Sequence, residues 1–261
     1  MSTKLVGKIL LEQNESIIRL SVIIPVWNEC ETIISTLDDL ARCQEIESCE
    51  VIVVDGHPEK TTHGVILQKK ISRWPFALKC IESPAGRAVQ MNSGLACAQG
   101  KSILFLHADT LLPEDGVPAL QRALRVKDVV GGAFDFEFYL GHGADEDEIG
   151  PCSLRCMAYF ARVRSRIERV PYGDQVHFFR TEELRHMGGY AEIPIMEDVE
   201  IMERLKKMRK PIIILPQVVK TSARRYFREG KVRRIVKNWF MRIAYKFGAS
   251  PEKLVKIYQR Y

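Results

Sequence analysis

Asp109 closes the segment Ser102–Thr110, SILFLHADT, in which a wholly apolar run stops abruptly at His107, Ala108 and Asp109. A buried strand ending this way delivers polar side chains to the carboxyl edge of a parallel sheet, where open α/β folds bind ligands. Asp109 is the only carboxylate in the segment. A hard oxygen ligand at that place could hold a divalent cation, Mg²⁺ or Mn²⁺, against a diphosphate. The plainer reading is a helix cap, with Asp109 or Thr110 opening the helix that follows.

Five further clusters combine residue types that handle ligands. Pro25-Val26-Trp27-Asn28-Glu29 ends an apolar run; proline stops the ladder, and Asn28 and Glu29 either cap a helix or meet a nucleotide. Asp55-Gly56 ends another run, and an acidic group there accepts hydrogen bonds from a base or ribose, although Asp-Gly is also a common turn. Arg87 opens the helical segment GRAVQMN, where the macrodipole disfavours a cation. That placement makes sense if Arg87 meets an anion or an acidic neighbour. Glu197 and Asp198 begin another helix in Met196–Glu200; the dipole alone favours them there, and one of them could act as a general base. Last, Thr221-Ser222-Ala223-Arg224-Arg225 pairs arginines with hydroxyls, a set suited to bidentate contact with a diphosphate or to a solvated basic turn.

The elements that must position these groups follow from periodicity. Ser21–Val26, Val51–Val54, Leu78–Ile81 and Ile103–Leu106 are short apolar runs, and amphipathic stretches around Glu31–Arg42, Thr61–Ile71 and Arg87–Ala98 separate them. This βαβα order predicts a mostly parallel, helix-covered sheet. In the helix after Gly86, the small residues Ala88, Gly94, Ala96 and Ala98 are expected to allow close approach to the sheet. Ala133–Tyr139 alternates Phe134, Phe136 and Phe138 with Asp135 and Glu137, predicting a strand with one apolar and one polar face. Gly141–Gly150 reads as a loop, Ser153–Arg169 as a basic helix, Val170–Arg180 as strand-like, Glu197–Met208 as a helix and Pro211–Leu215 as the last clear strand. Arg228–Phe247 carries apolar residues at 3-and-4 spacing opposite Arg233, Arg234, Lys237, Arg242 and Lys246. This is an amphipathic helix that either docks on the protein body or lies on a membrane surface.

Length and composition bound the rest. At 261 residues the chain suits one large domain, or one domain with an appended subdomain. No apolar run reaches the roughly 18 residues of a membrane span, and MSTKLVGKILLEQNES is too polar for a secretory signal. Seven cysteines without ordered spacing suggest reduced thiols and a cytoplasmic protein. The net charge of +6 is unevenly spread: Lys220–Tyr261 holds 13 Lys/Arg against 2 Asp/Glu, a net +11. Such an end points to anionic partners.

Each cluster is weak singly, but their order is not. SVIIPVWNE, VIVVDG, GRAVQMNSG, FLHADT, MEDVE and SARRY together resemble a family 2 glycosyltransferase of the GT-A fold. The GRA-QMN-G and FLHADT wording is similar to the bacterial arsenosugar-biosynthesis subfamily, which includes selenosugar synthases. The resemblance implies an α/β GT-A domain over 21–226, after an N-terminal extension at 1–20 and before a basic helical tail at 227–261. It further implies that Pro25, Asn28, Glu29, Asp55, Arg87, Asn92, His107, Ala108, Arg224 and Arg225 contact a nucleotide sugar, with a UDP-sugar the commonest family donor. Asp109 would be the metal contact. The Asp-x-Asp of many relatives falls on His107-Ala108-Asp109, so histidine replaces its first aspartate. Glu197 and Asp198 match the catalytic Glu-Asp, with Asp198 the base.

The implied reaction is inverting sugar transfer to a small acceptor, a seleno-, thio- or arseno-compound. One alternative is a lipid or polyprenyl-phosphate acceptor, with the enzyme peripheral at the inner face of the membrane through residues 228–247. The other is a non-catalytic sugar-nucleotide or nucleic-acid-binding module. Nucleic acid is not expected as a partner, because neither RNA-binding aromatic motifs nor a DNA-binding helix pattern is present.

Overall fold

The computed structural model describes residues 18–69, 73–140, 152–229 and 231–259. The predicted loop at 141–150 and most of the N-terminal extension lie outside the described residues. Its strands are β1 Leu20–Val26, β2 Cys49–Asp55, β3 Ala77–Glu82, β4 Ser102–Phe105, β5 Thr110–Leu111, β6 Gly131–Tyr139, β7 Phe178–Arg180 and β8 Ile212–Ser222. The α-helices are α1 Ile33–Leu40, α2 Thr61–Leu67, α3 Arg87–Cys97, α4 Gly116–Arg125, α5 Cys152–Glu168, α6 Thr181–His186, α7 Glu197–Lys207, α8 Arg224–Glu229, α9 Lys231–Lys246 and α10 Pro251–Gln259. The strands form one eight-stranded sheet in the order β3-β2-β1-β4-β7-β6-β8-β5. Only β7 and β5 run against the others. All six remaining strands are parallel, as the alternating pattern predicts.

Two apolar layers hold helices to the faces of this sheet. On one face Val22, Ile24 and Phe134 pack with Ile33 and Leu37 of α1, Leu120 of α4 and Leu154 of α5. On the other Ile23, Ile52 and Val54 pack with Met91 of α3 and Val199 and Met202 of α7. Burial on both faces is why the inner strands read as unbroken apolar runs. Within α3 the small residues divide. A Cβ on Gly94 would lie 2.5 Å from Ile23 Cγ2, so only glycine permits that helix–sheet spacing, and Ala88 and Ala98 are buried beside it. Ala96 is exposed and takes no part.

Several elements differ from their sequence reading. Of Val170–Arg180 only Phe178–Arg180 is strand, because Gly173–Gln175 forms a 3₁₀ turn and Val176 has a left-handed φ of 54°. β8 runs on past Leu215 to Ser222, and its pairing with β6 slips between Phe134 and Asp135. Pro216, which has no N–H for the ladder, falls in the slip. The polar face of β6 is only partly solvated: Asp135 is 1% exposed, held by Arg166 at 2.7 and 2.8 Å and Arg162 at 3.1 Å from α5, while Glu137 is partly exposed. The tail forms α8, α9 and α10, and among the described residues no helix is long and apolar enough to cross a membrane.

Candidate active site

A cavity of about 490 Å³ opens where the chain leaves the carboxyl ends of β4, β6 and β8. Arg87 enters it from the first turn of α3, His107 and Asp109 from the segment after β4, and Asp174 from the 3₁₀ turn. Glu197 and Asp198 enter from the first turn of α7, and Asn238, Met241 and Arg242 of α9 line its wall. Arg87 and Asp198, 111 positions apart in sequence, thus converge because each sits at an element end along one sheet edge, where backbone groups and side chains are both available, and the middle of α9 closes the wall.

The acidic neighbour that Arg87 requires is Glu197. Its Nη1 lies 3.2 Å from Glu197 Oε1, across from a carboxylate that is only 4% exposed. Burial pushes the Glu197 carboxyl above its ordinary range, Arg87 opposes this, and the adjacent Asp198 adds to it. Arg87 Nη2 also reaches His107 Nε2 at 2.8 Å. The same Nε2 lies 3.1 Å from the Gly173 carbonyl oxygen, so this ring nitrogen faces a donor on one side and an acceptor on the other, and its tautomer decides which bond forms.

Asp198 is oriented by backbone alone: Oδ2 accepts from the Gly173 N–H at 2.7 Å and Oδ1 from the Val199 N–H at 2.8 Å. The same turn carries Asp174, which the sequence reading passed over. Burial first, and then the negative charge of Asp198, raise the Asp174 carboxyl to about 6, against the pull of Arg164 and Arg87. Among the described residues Asp174 Oδ1 and Arg87 Nε are buried without a hydrogen-bond partner, which marks a wall built to meet something else. The turn itself is pinned by Gln175, whose amide donates to the Phe134 carbonyl at 3.1 Å. Tyr172 is sandwiched by Arg164, 3.7 Å above its ring, and Arg242 at 5.9 Å. The legible signal was Pro171-Tyr172-Gly173-Asp174-Gln175, a turn signature inside an otherwise apolar stretch.

Gly173 is where this turn passes closest to α3, and a Cβ there would overlap Arg87 Nη2. Gly173→Ala is expected to leave the fold intact, since a flexible side-chain end can yield, while displacing Arg87 from Glu197 and His107. A loss of about 10²-fold in kcat/KM with Tm nearly unchanged is the expected result, and enzyme kinetics beside thermal melting checks it.

Next to the cavity lies a second edge, at the ends of β1 and β2. Asp55 is buried, its two oxygens accepting the N–H groups of His57 at 2.9 Å and His63 at 3.0 Å, so it ties β2 to the start of α2. Asn28, at φ 54°, accepts from the Thr61 hydroxyl at 3.1 Å. Exposed Trp27 stands edge-on to His57, 5.0 Å between centroids. Gln90, unmarked in the sequence, bridges the diverging strands by donating to the Val26 and Val54 carbonyls at 2.7 and 2.9 Å.

Arg224, the first residue of α8, joins the two regions. Its Nη2 is 2.8 and 2.9 Å from the Glu29 carboxylate oxygens and 3.5 Å from Asp109 Oδ2. Pro25, Ala108 and Asn92, also marked from the sequence, are not among the residues lining the cavity. Pro25 lies within β1, in register with Val54. Ala108 contributes its carbonyl, which accepts from the Thr36 hydroxyl at 2.6 Å. Asn92 is outside the cavity lining, its amide pinning the backbone N–H and carbonyl of Tyr190, each at 2.9 Å. The Arg225 side chain lies outside the described residues.

Among the described residues no group of three His, Cys, Asp or Glu side chains is disposed to hold a metal ion by itself. Asp109 offers one carboxylate, 15% exposed and lining the cavity. This donor set fits a Mg²⁺-type ion bound through one carboxylate together with substrate phosphates, and it does not fit an all-protein metal cage.

A mostly parallel sheet with two antiparallel strands, one inside it and one at its edge, and an acidic cavity at its carboxyl edge is consistent with the architecture of the GT-A glycosyltransferases. The chain belongs to glycosyl transferase family 2, whose sequence profile matches residues 21–179. No protein of curated function matches it in sequence. Among solved structures it is similar to the mannosyltransferase PcManGT of Pyrobaculum calidifontis in complex with GDP-Man and Mn²⁺, with 21% identity, TM-score 0.60, and coverage of 77% of this chain and 56% of that one. It is similar also to residues 1–349 of S. aureus TarS with UDP, with 19% identity, TM-score 0.59, and coverage of 78% and 60%. The same TarS fragment with UDP-GlcNAc matches at 18% identity and TM-score 0.54, covering 78% and 58%. The chain therefore spans less than two thirds of the length of these structural neighbours.

Proposed function

We propose that the protein is an inverting glycosyltransferase that moves a sugar from a nucleotide-sugar donor. The observation that carries this reading is the convergence of Arg87, Asp109, Asp174, Glu197 and Asp198 on one cavity, with Arg224 linking it to the Asn28–Asp55 edge. The neighbours' complexes with GDP-Man, UDP and UDP-GlcNAc support the donor class. A UDP-sugar is the donor we place first.

In this reading the nucleoside lies along Pro25, Asn28, Glu29 and Asp55. The diphosphate lies between Asp109 and Arg224, and the sugar beside Arg87, His107 and Ala108. Asn92 supports the sugar side from behind by holding the Tyr190 backbone. A divalent cation at Asp109, as the Mn²⁺ of the mannosyltransferase complex supports, would supply charge neutralisation for the departing diphosphate. Arg224 meets that charge with preorganised donors. The acceptor's nucleophilic atom bonds to the anomeric carbon from the face opposite the breaking carbon–oxygen bond. Asp198 takes its proton, in a pair with Asp174, while Glu197 holds Arg87 in place. An acceptor that arrives already anionic needs no base, and Asp198 then only orients it.

We assign the acceptor to the small seleno-, thio- or arseno-compounds of the subfamily whose motifs GRAVQMNSG and FLHADT it shares. A lipid-linked acceptor is the second reading, favoured by the outward apolar face of α9 described below. A thermal-shift series with UDP- and GDP-sugars, with and without Mn²⁺, tests the donor, because ligand binding raises apparent stability by mass action. One donor giving a cation-dependent rise, followed by transfer with inverted anomeric configuration, is the expected result. No rise with any nucleotide sugar would overturn the reading.

A further inference from the structure

An amphipathic helix on a protein surface ordinarily turns its apolar side inward. α9 does the reverse. Val236, Trp239, Phe240, Ile243 and, just past the helix end, Phe247 are 62%, 63%, 53%, 46% and 86% exposed. Their spacing of three, four, seven and eleven residues from Val236 places them on one stripe. The opposite side is the docked one. There Met241 is 1% exposed, Asn238 and Arg242 line the cavity, and Arg242 is fixed by Glu203 at 3.2 Å and Glu168 at 3.3 Å. The body of the protein thus holds the helix by its mixed face and leaves the apolar stripe outward.

We infer that this stripe is a docking surface for an anionic lipid bilayer. Arg233, Lys237 and Lys246 flank it, and Lys253 and Lys256 of the next helix are exposed, within the segment of net charge +11. Apolar and aromatic side chains bordered by cations are the composition of a helix lying in the headgroup region. A second copy of the chain would bring the same cations face to face, so the charge favours lipid over self-association. α5, tied to α9 through Glu168 and Arg242, adds exposed Ile167 and, two turns earlier, Tyr159 and Phe160. Because α9 is also a wall of the cavity, docking would hold the cavity about one helix diameter, roughly 10 Å, from the lipid headgroups. The inference stands on exposure and charge and does not depend on the transfer reaction proposed above.

Flotation of the full chain with phosphatidylcholine vesicles, with and without phosphatidylglycerol, tests it. The protein is expected to float with the anionic vesicles, to bind the neutral ones about tenfold more weakly, and to be released by high salt. Trp239→Glu with Phe247→Glu should abolish flotation, and Lys237→Glu with Lys246→Glu should remove the anionic preference. All four positions are at the surface and leave the core untouched; Trp239→Ala with Phe247→Ala serves if the glutamates disturb folding, as circular dichroism will report. No flotation of the unaltered protein overturns the inference, and so does equal flotation of the Trp239/Phe247 variants. A dimer in sedimentation velocity that those variants dissociate, without vesicle binding, assigns the stripe to a second copy and overturns it as well.

Discussion

Asp198→Asn is expected to lower kcat by about 10²–10⁴-fold with a hydroxyl or thiol acceptor, while nucleoside diphosphate affinity stays unchanged. Asparagine keeps the size of the side chain but replaces one oxygen that accepts a backbone N–H, and it takes no proton. Steady-state kinetics with parallel calorimetry of nucleotide binding checks both halves. The companion variant Asp174→Asn addresses the pH profile. With the Asp174 carboxyl raised to about 6 by burial and by Asp198, the ionised pair forms only as pH rises through that value. The rate should climb through about pH 6, level above it, and lose this limb in Asp174→Asn. The other charges facing Asp174 are Arg87 on α3 and Arg164 on α5, which oppose the shift. Glu197, Arg242, Tyr172 and neutral His177 surround the same pocket wall.

Stability should move the opposite way. A carboxyl whose folded pKa of about 6 exceeds the ordinary 3.8 binds its proton more tightly in the folded state. Stability is therefore lost as pH rises between those values. At pH 8 the ionised Asp174 works against the fold, so Asp174→Asn should be more stable there by on the order of 1–3 kcal/mol. The difference should close below about pH 4. Melting temperatures at the two pH values give the answer, and a variant less stable at pH 8 would remove Asp174 from this role.

Arg224→Ala is the second large effect, expected to lower kcat by about 10²–10³-fold. It should also weaken nucleoside diphosphate binding by more than one charged hydrogen bond, about 1.5–3 kcal/mol. The excess arises from what the arginine leaves behind. Glu29, at 2.8 Å from its guanidinium, and Asp109, at 3.5 Å, lose this cation and leave two carboxylates near an anionic ligand. Arg224→Lys keeps the charge but loses the paired contact with Glu29, and should fall between. Asp109→Ala should leave binding of nucleoside diphosphate measurable yet abolish its enhancement by Mn²⁺. A thermal shift that still grows with Mn²⁺ in this variant would remove Asp109 as the cation contact.

The parallel half of the sheet was legible because β1, β2 and β4 are buried on both faces and carry unbroken apolar runs, separated by helices with ordinary periodicity. The second half was less so. β6 carries the alternating signature of a half-solvated strand, yet Asp135 is buried under two arginines of α5 that lie 27 and 31 residues further on. A local pattern cannot report a cover supplied from that distance. The 3₁₀ turn at Gly173 was missed for a similar reason. Its residue types are those of any turn, and Asp174 gains its chemistry only from burial against Asp198.

The sequence by itself determined the strand ends and helix starts that carry Asp55, Arg87, Asp109 and Asp198, because strand ends, helix starts and local polarity are written in neighbouring residues. It also foresaw that Arg87, set against the macrodipole, meets an anion or an acidic neighbour. Which acid that is, the pairing of Asp174 with Asp198, the span of Arg224 between Glu29 and Asp109, and the turning of His107 Nε2 toward Arg87 were decided by tertiary structure. So was the outward stripe of α9: periodicity shows that a helix has two faces, but which face is buried depends on the surface it meets. Here that surface presents Glu168 and Glu203, and it selects the face bearing Arg242.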